Sequence, residues 1–285
     1  MIHKKNFYKQ DKEKLNFFNQ KGYLIFDFID KKKIDRVKND LYVMVLDSLT
    51  INCPTFIKKN KKKIKIKDFV LNEGLIYLEK KNHKFLAKIY DVIAKTTSFL
   101  NLICEDKIIE TINFLLGRKK NSNLYINSNS IRMDMPNDKR FYYGWHRDNN
   151  TNIKGSNFLQ LWMPVISNIT HKIGGLRILE GSHLYNLKTS ETINEIELQK
   201  KGSPMRTNYE AVVYDKENFN EKLITLNLGQ CVIFKNSLTH KGGLNKSKKV
   251  RYAATAFYHD TFLLESKFVN LDFKTKNVEV KKTSH

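Results

Sequence analysis

The pattern of apolar and polar positions changes near the middle of the chain. Up to about residue 120, apolar residues recur at the spacing of amphipathic helices. The first predicted helix is capped by Asp11 and ends near Gly22, and a short strand follows over residues 23–28. A second helix begins at Asp30 and carries on one face Ile34, Val37, Leu41, Val45 and Leu46. Further helical pattern runs over about residues 83–100 and 105–116.

From about residue 123 the pattern becomes that of strands. NLYINSNSIRMDMP, NFLQLWMPV and VRYAATAFYH are typical of strands, and GGLRILEGSH and LGQCVIF each begin at or beside a glycine. In the last strand, alternation places on one face Arg251, Ala253, Thr255 and Phe257. Many short strands with glycine turns and no interleaved helices predict an antiparallel sandwich or barrel, and no parallel sheet.

Composition adds a large positive charge to this picture. The 285 residues are 41% hydrophobic, as expected for a folded globular protein, and carry a formal net charge of +22. The charge comes mostly from lysines scattered along the chain among many Asn and Ile, a composition that an A+T-rich genome also produces. Nucleic-acid or membrane binding therefore stays a less favoured alternative. The densest basic run, Lys58 to Lys67, is predicted to be a solvated loop or hairpin.

The three cysteines and the N-terminal residues indicate a cellular location. Cys53, Cys104 and Cys231 are odd in number and form no CxxC pair, so a disulfide framework or a structural zinc site is not expected. The N-terminal residues show no apolar signal region, and no apolar run reaches the length of a membrane span. We therefore expect a cytoplasmic protein.

One short segment, YYGWHRDNN, offers a pair of metal ligands. On an extended strand His146 and Asp148 point to the same side and can bind one ion. A neutral nitrogen and an anionic oxygen suit divalent iron, and a third ligand would complete a facial triad. An H-x-D segment also occurs by chance as a hydrogen-bonded surface pair. No other histidine in the chain, however, has an acidic residue two positions later.

A distal histidine and an arginine extend this pattern. His240 lies at the end of a predicted strand, and Arg251 follows it with ten residues between them. At the same spacing after His171, His183 or His259 the sequence has no arginine. Because a glycine-containing turn separates them, His240 and Arg251 can lie side by side on neighbouring antiparallel strands.

With these residues the chain resembles the phytanoyl-CoA dioxygenase family of Fe(II)- and 2-oxoglutarate-dependent oxygenases. GWHRDNN, LWMPV, GGLRILEGSH, GQCVIFKNSLTHKGGLN and VRYAATAFYH stand in the order of that family. EKLNFFNQKGYLIFDFIDKKKIDRVKNDL resembles its opening. The resemblance implies a double-stranded β-helix, or jelly roll, with helices packed outside, and one such domain over residues 1–285. The helical part would span residues 1–120 and the jelly roll residues 121–262.

The resemblance also implies roles for individual residues. His146, Asp148 and His240 match the iron ligands, and Arg251 matches the arginine that binds the distal carboxylate of 2-oxoglutarate. Trp162 matches an aromatic residue that lines the co-substrate pocket, although a core tryptophan is an equal alternative. Residues flanking the ligands are candidates to reach the substrate: Trp145, Arg147, Asn149 and Asn150, with Arg132 and Tyr143 as weaker candidates. Gly174, Gly175, Gly181, Ser182 and His183 match a structural turn of the family.

The implied cofactors are Fe(II), 2-oxoglutarate as co-substrate and O2, with ascorbate to keep the iron reduced. Some relatives replace the metal-binding carboxylate with a small residue and become halogenases. Asp148 occupies that position here, so hydroxylation of an unactivated C–H bond in a small metabolite is expected. Two alternatives remain at this point. One is a catalytically silent jelly-roll binding protein, and the other is an oxidative demethylase of nucleic acids.

Overall fold

The computed structural model describes residues 2–27, 30–120, 122–139, 144–148, 158–185, 187, 210–211 and 218–260. The first 115 residues are mostly helical. In chain order the helices are α1 (Ile2–Lys21), α2 (Lys31–Asn52), α3 (Pro54–Lys59), α4 (Lys67–Phe69), α5 (Leu75–Lys81), α6 (His83–Ile93), α7 (Thr97–Ile103) and α8 (Asp106–Leu115). A 3-10 turn (Lys63–Lys65) precedes α4, and a π-helical turn (Val70–Gly74) follows it.

Beyond α8 the regular elements of the described chain are strands, apart from one 3-10 turn, and one further strand, β1, lies earlier, between α1 and α2. They are β1 (Tyr23–Asp27), β2 (Leu124–Asp134), β3 (His146–Arg147), β4 (Phe158–Pro164), β5 (Leu176–Leu179), β6 (Glu210–Ala211), β7 (Glu221–Ile224), β8 (Gln230–Lys235), β9 (His240–Gly242) and β10 (Arg251–Asp260). They form a first sheet, β1-β8-β4-β10-β2, and a second sheet, β6-β3-β9-β5-β7, and all pairings are antiparallel. The predicted jelly roll with flanking helices is confirmed, and among the described strands neither sheet closes on itself.

Local sequence signals explain where the helices start and stop. Asp30 caps α2 as predicted, because its carboxylate accepts hydrogen bonds from the backbone N–H groups of Lys32 and Lys33. The helical pattern over residues 83–100 is divided, since the Thr96 hydroxyl caps a new helix at that point. The prediction that the first helix starts at Asp11 was wrong, because α1 already begins at Ile2. It ends as predicted at Gly22, whose φ of 85° suits glycine.

The prediction of a loop or hairpin for the lysine-rich run holds only in part. Lys61 and Lys62 lie in a turn, whereas Lys58 and Lys59 belong to α3, Lys63 and Lys65 to the 3-10 turn and Lys67 to α4. Its lysine side chains are exposed, as the prediction required. A short helix can keep all its lysines in water when the residues between them supply the packing. Here the packing residues are Phe56, Ile57, Ile64 and Phe69, which lie against the main core.

The central strands of the first sheet, β4, β8 and β10, are mostly buried on both faces. The outer face of this sheet packs against the helices through α2 residues Val37, Leu41 and Val45 and through sheet residues such as Ile131 and Leu161. A second apolar cluster fills the space between the two sheets and includes Tyr23, Trp162, Ile178, Ile224, Val232, Phe234 and Ala253. No helix among the described residues has the length and apolar character needed to cross a bilayer.

Strand β10 lies at the boundary between these two cores. Its side chains alternate, so Tyr252, Ala254 and Tyr258 face the helices, whereas Arg251 and Ala253 face the space between the sheets. Two tyrosine hydroxyls reach the helical layer: Tyr252 donates to the Leu71 carbonyl, and Tyr258 donates to the Ile103 carbonyl at 2.6 Å. Contacts between the outer face of β10 and the helices thus position the strand, and with it the inward face that carries Arg251.

Candidate metal centre

Two histidines from separate strands of the second sheet face each other. His146 on β3 is directly opposite His240 on β9 in the strand register, and their ring centroids are 4.4 Å apart. Both side chains are buried. The Phe234 ring of the first sheet packs edge-on against His240 at 4.9 Å. The pairing of the two short strands therefore brings together residues that are 94 positions apart in the sequence.

Asp148 completes a cluster of three potential ligands. It follows β3 by one residue, and its backbone N–H donates to the Asn236 carbonyl at 3.3 Å. Its Oδ2 lies 3.3 Å from His240 Nε2. One donor atom from each of His146, Asp148 and His240 lies within 4.8 Å of the others. The three ligands predicted from the sequence are thus neighbours in space.

Backbone carbonyls fix the orientation of both imidazole rings. His146 Nδ1 lies 2.7 Å from the Gly144 carbonyl, and His240 Nδ1 lies 2.9 Å from the Leu238 carbonyl. A carbonyl can only accept, so each Nδ1 carries the proton and each Nε2 carries the lone pair. This is the arrangement that ligating histidines adopt, because a bond at the second nitrogen sets both tautomer and ring orientation.

The protonation states also suit metal binding. Burial, followed by the neighbouring His240, lowers the pKa of His146 to about 4. For Asp148, burial alone would raise the pKa, but its interactions with the neighbouring His240 outweigh burial and lower the pKa to about 2. At neutral pH His146 is therefore a neutral imidazole and Asp148 an anionic carboxylate, the forms that bind a cation.

Gln160 on β4 is a site residue that the sequence reasoning missed. Its side chain is buried and lies close enough to Asp148 for hydrogen bonding to contribute to the low pKa of that carboxyl. Yet Nε2 makes no hydrogen bond of standard geometry within the described part of the chain. The signal was one polar residue in the otherwise apolar run NFLQLWMPV. A buried amide donor beside a ligand carboxylate can orient that carboxylate.

Arg251 is buried between the two sheets, as predicted, but it already has a protein carboxylate as partner. Its Nε and Nη2 donate to Asp134 Oδ2 at 3.0 and 2.8 Å. Its Nη1 donates to the Gly174 carbonyl and, at 2.6 Å, to the Gly243 carbonyl. Asp134 faces Arg251 across the β2–β10 pairing. The prediction that Arg251 binds 2-oxoglutarate must therefore account for Asp134, which the sequence reasoning did not single out.

Arg132 and Trp162 lie beside this pair on the same inner face. Arg132 is opposite Ala253 in the register, and its Nη2 lies 3.3 Å from Asp134 Oδ1. Its positive charge is near enough to His146 to contribute to the lowered pKa of that imidazole. Trp162 pairs with Thr255 and is buried in the cluster between the sheets. Its position is compatible with both predictions, a pocket wall and a core residue.

Arg147 points away from the three ligands, because it lies between His146 and Asp148 on the strand. Its Nε donates to Thr239 Oγ1 at 3.1 Å, and its Nη2 donates to the carbonyls of Ser182 and Tyr185. These contacts fasten β3 to the turn after β5. The structure therefore gives Arg147 contacts with the scaffold, and its approach to substrate stays a prediction.

We expect Arg147→Lys to lower the free energy of unfolding by about 1–3 kcal/mol, since an ammonium cannot reproduce the guanidinium fork and leaves buried acceptors unpaired. Chemical denaturation would measure the loss. Arg177→Lys, which alters an exposed pair with Glu221, serves as the control and should stay nearly neutral. Equal stability of Arg147→Lys and wild type would contradict the scaffold role.

The remaining predicted residues divide into three groups. Trp145 is half-buried, and its ring lies under the Lys241 ammonium at 4.1 Å. Tyr143, Asn149 and Asn150 lie outside the described residues. His183 does not join the ligand cluster: its Nε2 bonds to the Asn19 carbonyl at 2.9 Å. Its ring packs over Gly22, where any Cβ would lie 2.5 Å from Nδ1.

The donor set fits a divalent iron ion. Two neutral imidazoles and one carboxylate on one side of an ion leave further coordination positions open, which is the pattern of non-haem Fe(II) oxygenases. Two ligands at right angles and about 2.1 Å from one ion are about 3 Å apart. The 3.3 Å between Asp148 Oδ2 and His240 Nε2 is close to that separation. Iron would thus be held by His146, Asp148 and His240.

Solved structures with the same fold include enzymes that carry iron and 2-oxoglutarate. The epimerase SnoN, in complex with Fe3+, alpha-ketoglutarate and nogalamycin RO, has a TM-score of 0.57 at 13% identity, over 88% of this chain and 84% of that chain. EctD from S. alaskensis, with 2-oxoglutarate and 5-hydroxyectoine, has a TM-score of 0.54 at 15% identity, over 87% and 75% of the two chains. EvdO2 from Micromonospora carbonacea var. aurantiaca has a TM-score of 0.52 at 12% identity, over 87% and 90%.

Sequence comparison gives the family. No curated protein sequence matches the chain significantly. The sequence model of the phytanoyl-CoA dioxygenase (PhyH) family, in contrast, matches residues 18–253, which is most of the chain. This range includes β1, the metal ligands and Arg251. The chain therefore belongs to the phytanoyl-CoA dioxygenase family, the Fe(II)- and 2-oxoglutarate-dependent dioxygenases.

Proposed function

We propose that this dioxygenase hydroxylates an unactivated C–H bond of a small metabolite. The observation that carries the proposal is the intact cluster of His146, Asp148 and His240, with both imidazoles oriented by backbone carbonyls. A catalytically silent relative has no need to keep three ligands and their supporting bonds in register. The carboxylate of Asp148 fills the position that would have to be vacated for a halide, which favours hydroxylation over halogenation.

The protein's own residues supply binding, orientation and charge. His146, Asp148 and His240 hold the ion, and Gln160 supports the Asp148 carboxylate from the neighbouring sheet. Arg251 binds the distal carboxylate of the co-substrate on the inner face of β10, with Trp162 as part of the pocket wall. When bound, iron and 2-oxoglutarate supply the oxidation of the C–H bond by O2, with release of succinate and CO2. The apolar cluster between the sheets keeps bulk water from the site.

The experiment is succinate production from 2-oxoglutarate across a panel of small metabolites, with Fe(II), O2 and ascorbate present. A substrate is recognised by stimulated succinate release and by a product that has gained one oxygen atom. The related folds show why the product matters, since SnoN is an epimerase and the EctD structure holds 5-hydroxyectoine. A product of unchanged mass would indicate epimerisation instead of hydroxylation. Absence of any iron-dependent succinate release would overturn the proposal.

The surface lysines are expected to have little part in this reaction. Replacing Lys61, Lys62 and Lys63 together by glutamine should leave turnover nearly unchanged, because these side chains are exposed and solvent screens their charge. Steady-state kinetics on the identified substrate would check this. A large loss of activity would show that the run contacts substrate or a partner. Retention on heparin at moderate salt would in that case favour the nucleic-acid alternative.

We also propose a cytoplasmic location and a small-molecule substrate. Cys53, Cys104 and Cys231 are unpaired thiols, and two of them are buried. Burial raises the pKa of Cys53 and of Cys231, so both stay protonated and unreactive at neutral pH. Such thiols are compatible with a reducing compartment.

A further inference from the structure

We infer that Asp134 competes with the distal carboxylate of 2-oxoglutarate for Arg251, so that an exchange of carboxylates sets the affinity for the co-substrate. The inference rests on the proposed function and deepens it, because it names a residue that tunes co-substrate binding. The observations behind it are the hydrogen bonds of the Arg251 guanidinium, whose partners all lie within the described part of the chain.

The guanidinium has little capacity left for a second carboxylate. It carries five N–H donors. Nε and Nη2 each give one to Asp134 Oδ2, and Nη1 gives one each to the Gly174 and Gly243 carbonyls, so four of the five are in use. A carboxylate that binds in the forked mode needs two parallel N–H groups. Co-substrate can therefore bind in this mode only after an existing partner has left.

Of the three partners, Asp134 is the one that can leave. Gly174 and Gly243 are backbone groups in a close contact: a Cβ on Gly174 would lie 2.5 Å from the Gly243 oxygen, and the φ of Gly174 is +92°. These two carbonyls are fixed by the fold. The carboxylate of Asp134, in contrast, is on a side chain and has a second cation at hand, since Arg132 Nη2 lies 3.3 Å from its Oδ1.

The charges of the cluster agree with an exchange. Arg132 and Arg251 contribute two positive charges and Asp134 one negative charge, which leaves one positive charge for one incoming carboxylate. Burial alone would raise the pKa of Asp134, but the charges of Arg251 and Arg132 outweigh it and lower the pKa, so the carboxylate is ionised. Before the exchange the two arginines share the Asp134 carboxylate. After the exchange Asp134 would still pair with Arg132, and Arg251 would pair with the co-substrate, so the buried guanidinium would keep a carboxylate partner in both states.

The test is Asp134→Asn, which keeps the shape of the side chain and removes the competing charge. We expect 2-oxoglutarate to bind roughly ten- to a hundredfold more tightly, within the range of coupling measured for close charge pairs. The protein without co-substrate should be less stable, because the buried Arg251 and the half-buried Arg132 lose their counter-ion. Saturating 2-oxoglutarate should therefore raise the melting temperature of the Asp134→Asn variant more than that of wild type.

Affinity is measured by titrating 2-oxoglutarate into the anaerobic Fe(II) protein, by charge-transfer absorbance, and independently by thermal shift. Arg132→Gln is the second variant and should act in the opposite direction. With Arg132 gone, Asp134 depends on Arg251 alone, so 2-oxoglutarate should bind more weakly. Because the Arg132 side chain is 21% exposed, its substitution should disturb folding less than substitution of the buried Asp134. Glu221→Gln, which removes a carboxylate from an exposed pair with Arg177, is the control and should leave the affinity for 2-oxoglutarate unchanged.

The outcomes distinguish failure of the proposed function from failure of the competition between Asp134 and 2-oxoglutarate. If wild type binds no 2-oxoglutarate, the proposed function fails. If wild type binds it and Asp134→Asn binds it equally or more weakly, the proposed function stands and the competition is wrong. Weaker binding would make Asp134 a positioning residue that holds Arg251 for the co-substrate. If Asp134→Asn does not fold, unchanged or tighter binding by Arg132→Gln overturns the inference by itself.

Discussion

Replacing Asp148 by alanine is expected to weaken Fe(II) binding by more than a hundredfold. Asp148 is the one anionic group in the cluster of three ligands, so its loss leaves two neutral imidazoles to balance a divalent cation. Loss of an outer-shell partner alone typically costs ten- to a hundredfold in metal affinity, and loss of a ligand should exceed that. His240→Ala should have a similar effect, because it removes both a donor atom and the partner of the Asp148 carboxylate.

The measurement is anaerobic competition with a chromophoric chelator, followed by metal analysis of the protein. His171→Ala is the matched control, because His171 is an exposed histidine outside the cluster. It should bind one iron per chain with wild-type affinity. Unchanged affinity in both Asp148→Ala and His240→Ala would show that the cluster is not the iron site.

The second large effect is expected for Arg251→Gln. Truncation of one partner in a buried charge pair costs roughly 2–5 kcal/mol, which corresponds to a tens- to thousands-fold weaker affinity for 2-oxoglutarate. Iron binding should survive, because Arg251 is not a ligand. The structure adds a cost in stability, since Asp134 would retain only Arg132 and two backbone carbonyls would lose a donor. Measuring affinity and unfolding on the same preparation separates the two effects.

Arg177→Gln is the control for this second prediction, because Arg177 pairs with Glu221 at an exposed position. Its substitution should cost under about 1 kcal/mol and leave co-substrate affinity unchanged. The titration follows the charge-transfer absorbance of the anaerobic Fe(II) protein. Equal 2-oxoglutarate affinity in wild type and Arg251→Gln would remove Arg251 from the co-substrate site.

The sequence was sufficient to predict the ligands because their chemistry leaves a local signature. His146 and Asp148 share a strand face at a spacing of two, and His240 precedes Arg251 by a spacing that one turn can close. The sheet pairing then brings these segments together, since His146 and His240 are partners in the register. The strand pattern likewise predicted an antiparallel sandwich or barrel, because alternation and glycine turns are local features, and the family resemblance specified the jelly roll.

Asp134 and Gln160 could not be found in the same way. Each acquires its role from a partner on another strand, Arg251 for Asp134 and Asp148 for Gln160, and no local pattern specifies that pairing. Arg147 shows the converse case. Its position beside the ligands suggested a contact with substrate, but the alternation of β3 turns it toward Ser182 and Tyr185. The helical parts of the lysine run were not predicted, because the residues that pack them contact distant parts of the core.

The two faces of β10 limit how this protein can be divided or recombined. A fragment that begins after α8 would expose to water the outer face of the first sheet, including Ile131, Leu161 and Tyr258. It would also remove the acceptors of the Tyr252 and Tyr258 hydroxyls on the strand that carries Arg251. Such a fragment should aggregate instead of forming a smaller oxygenase. A chimera that exchanges substrate specificity must therefore keep the helical layer and β10 from one parent.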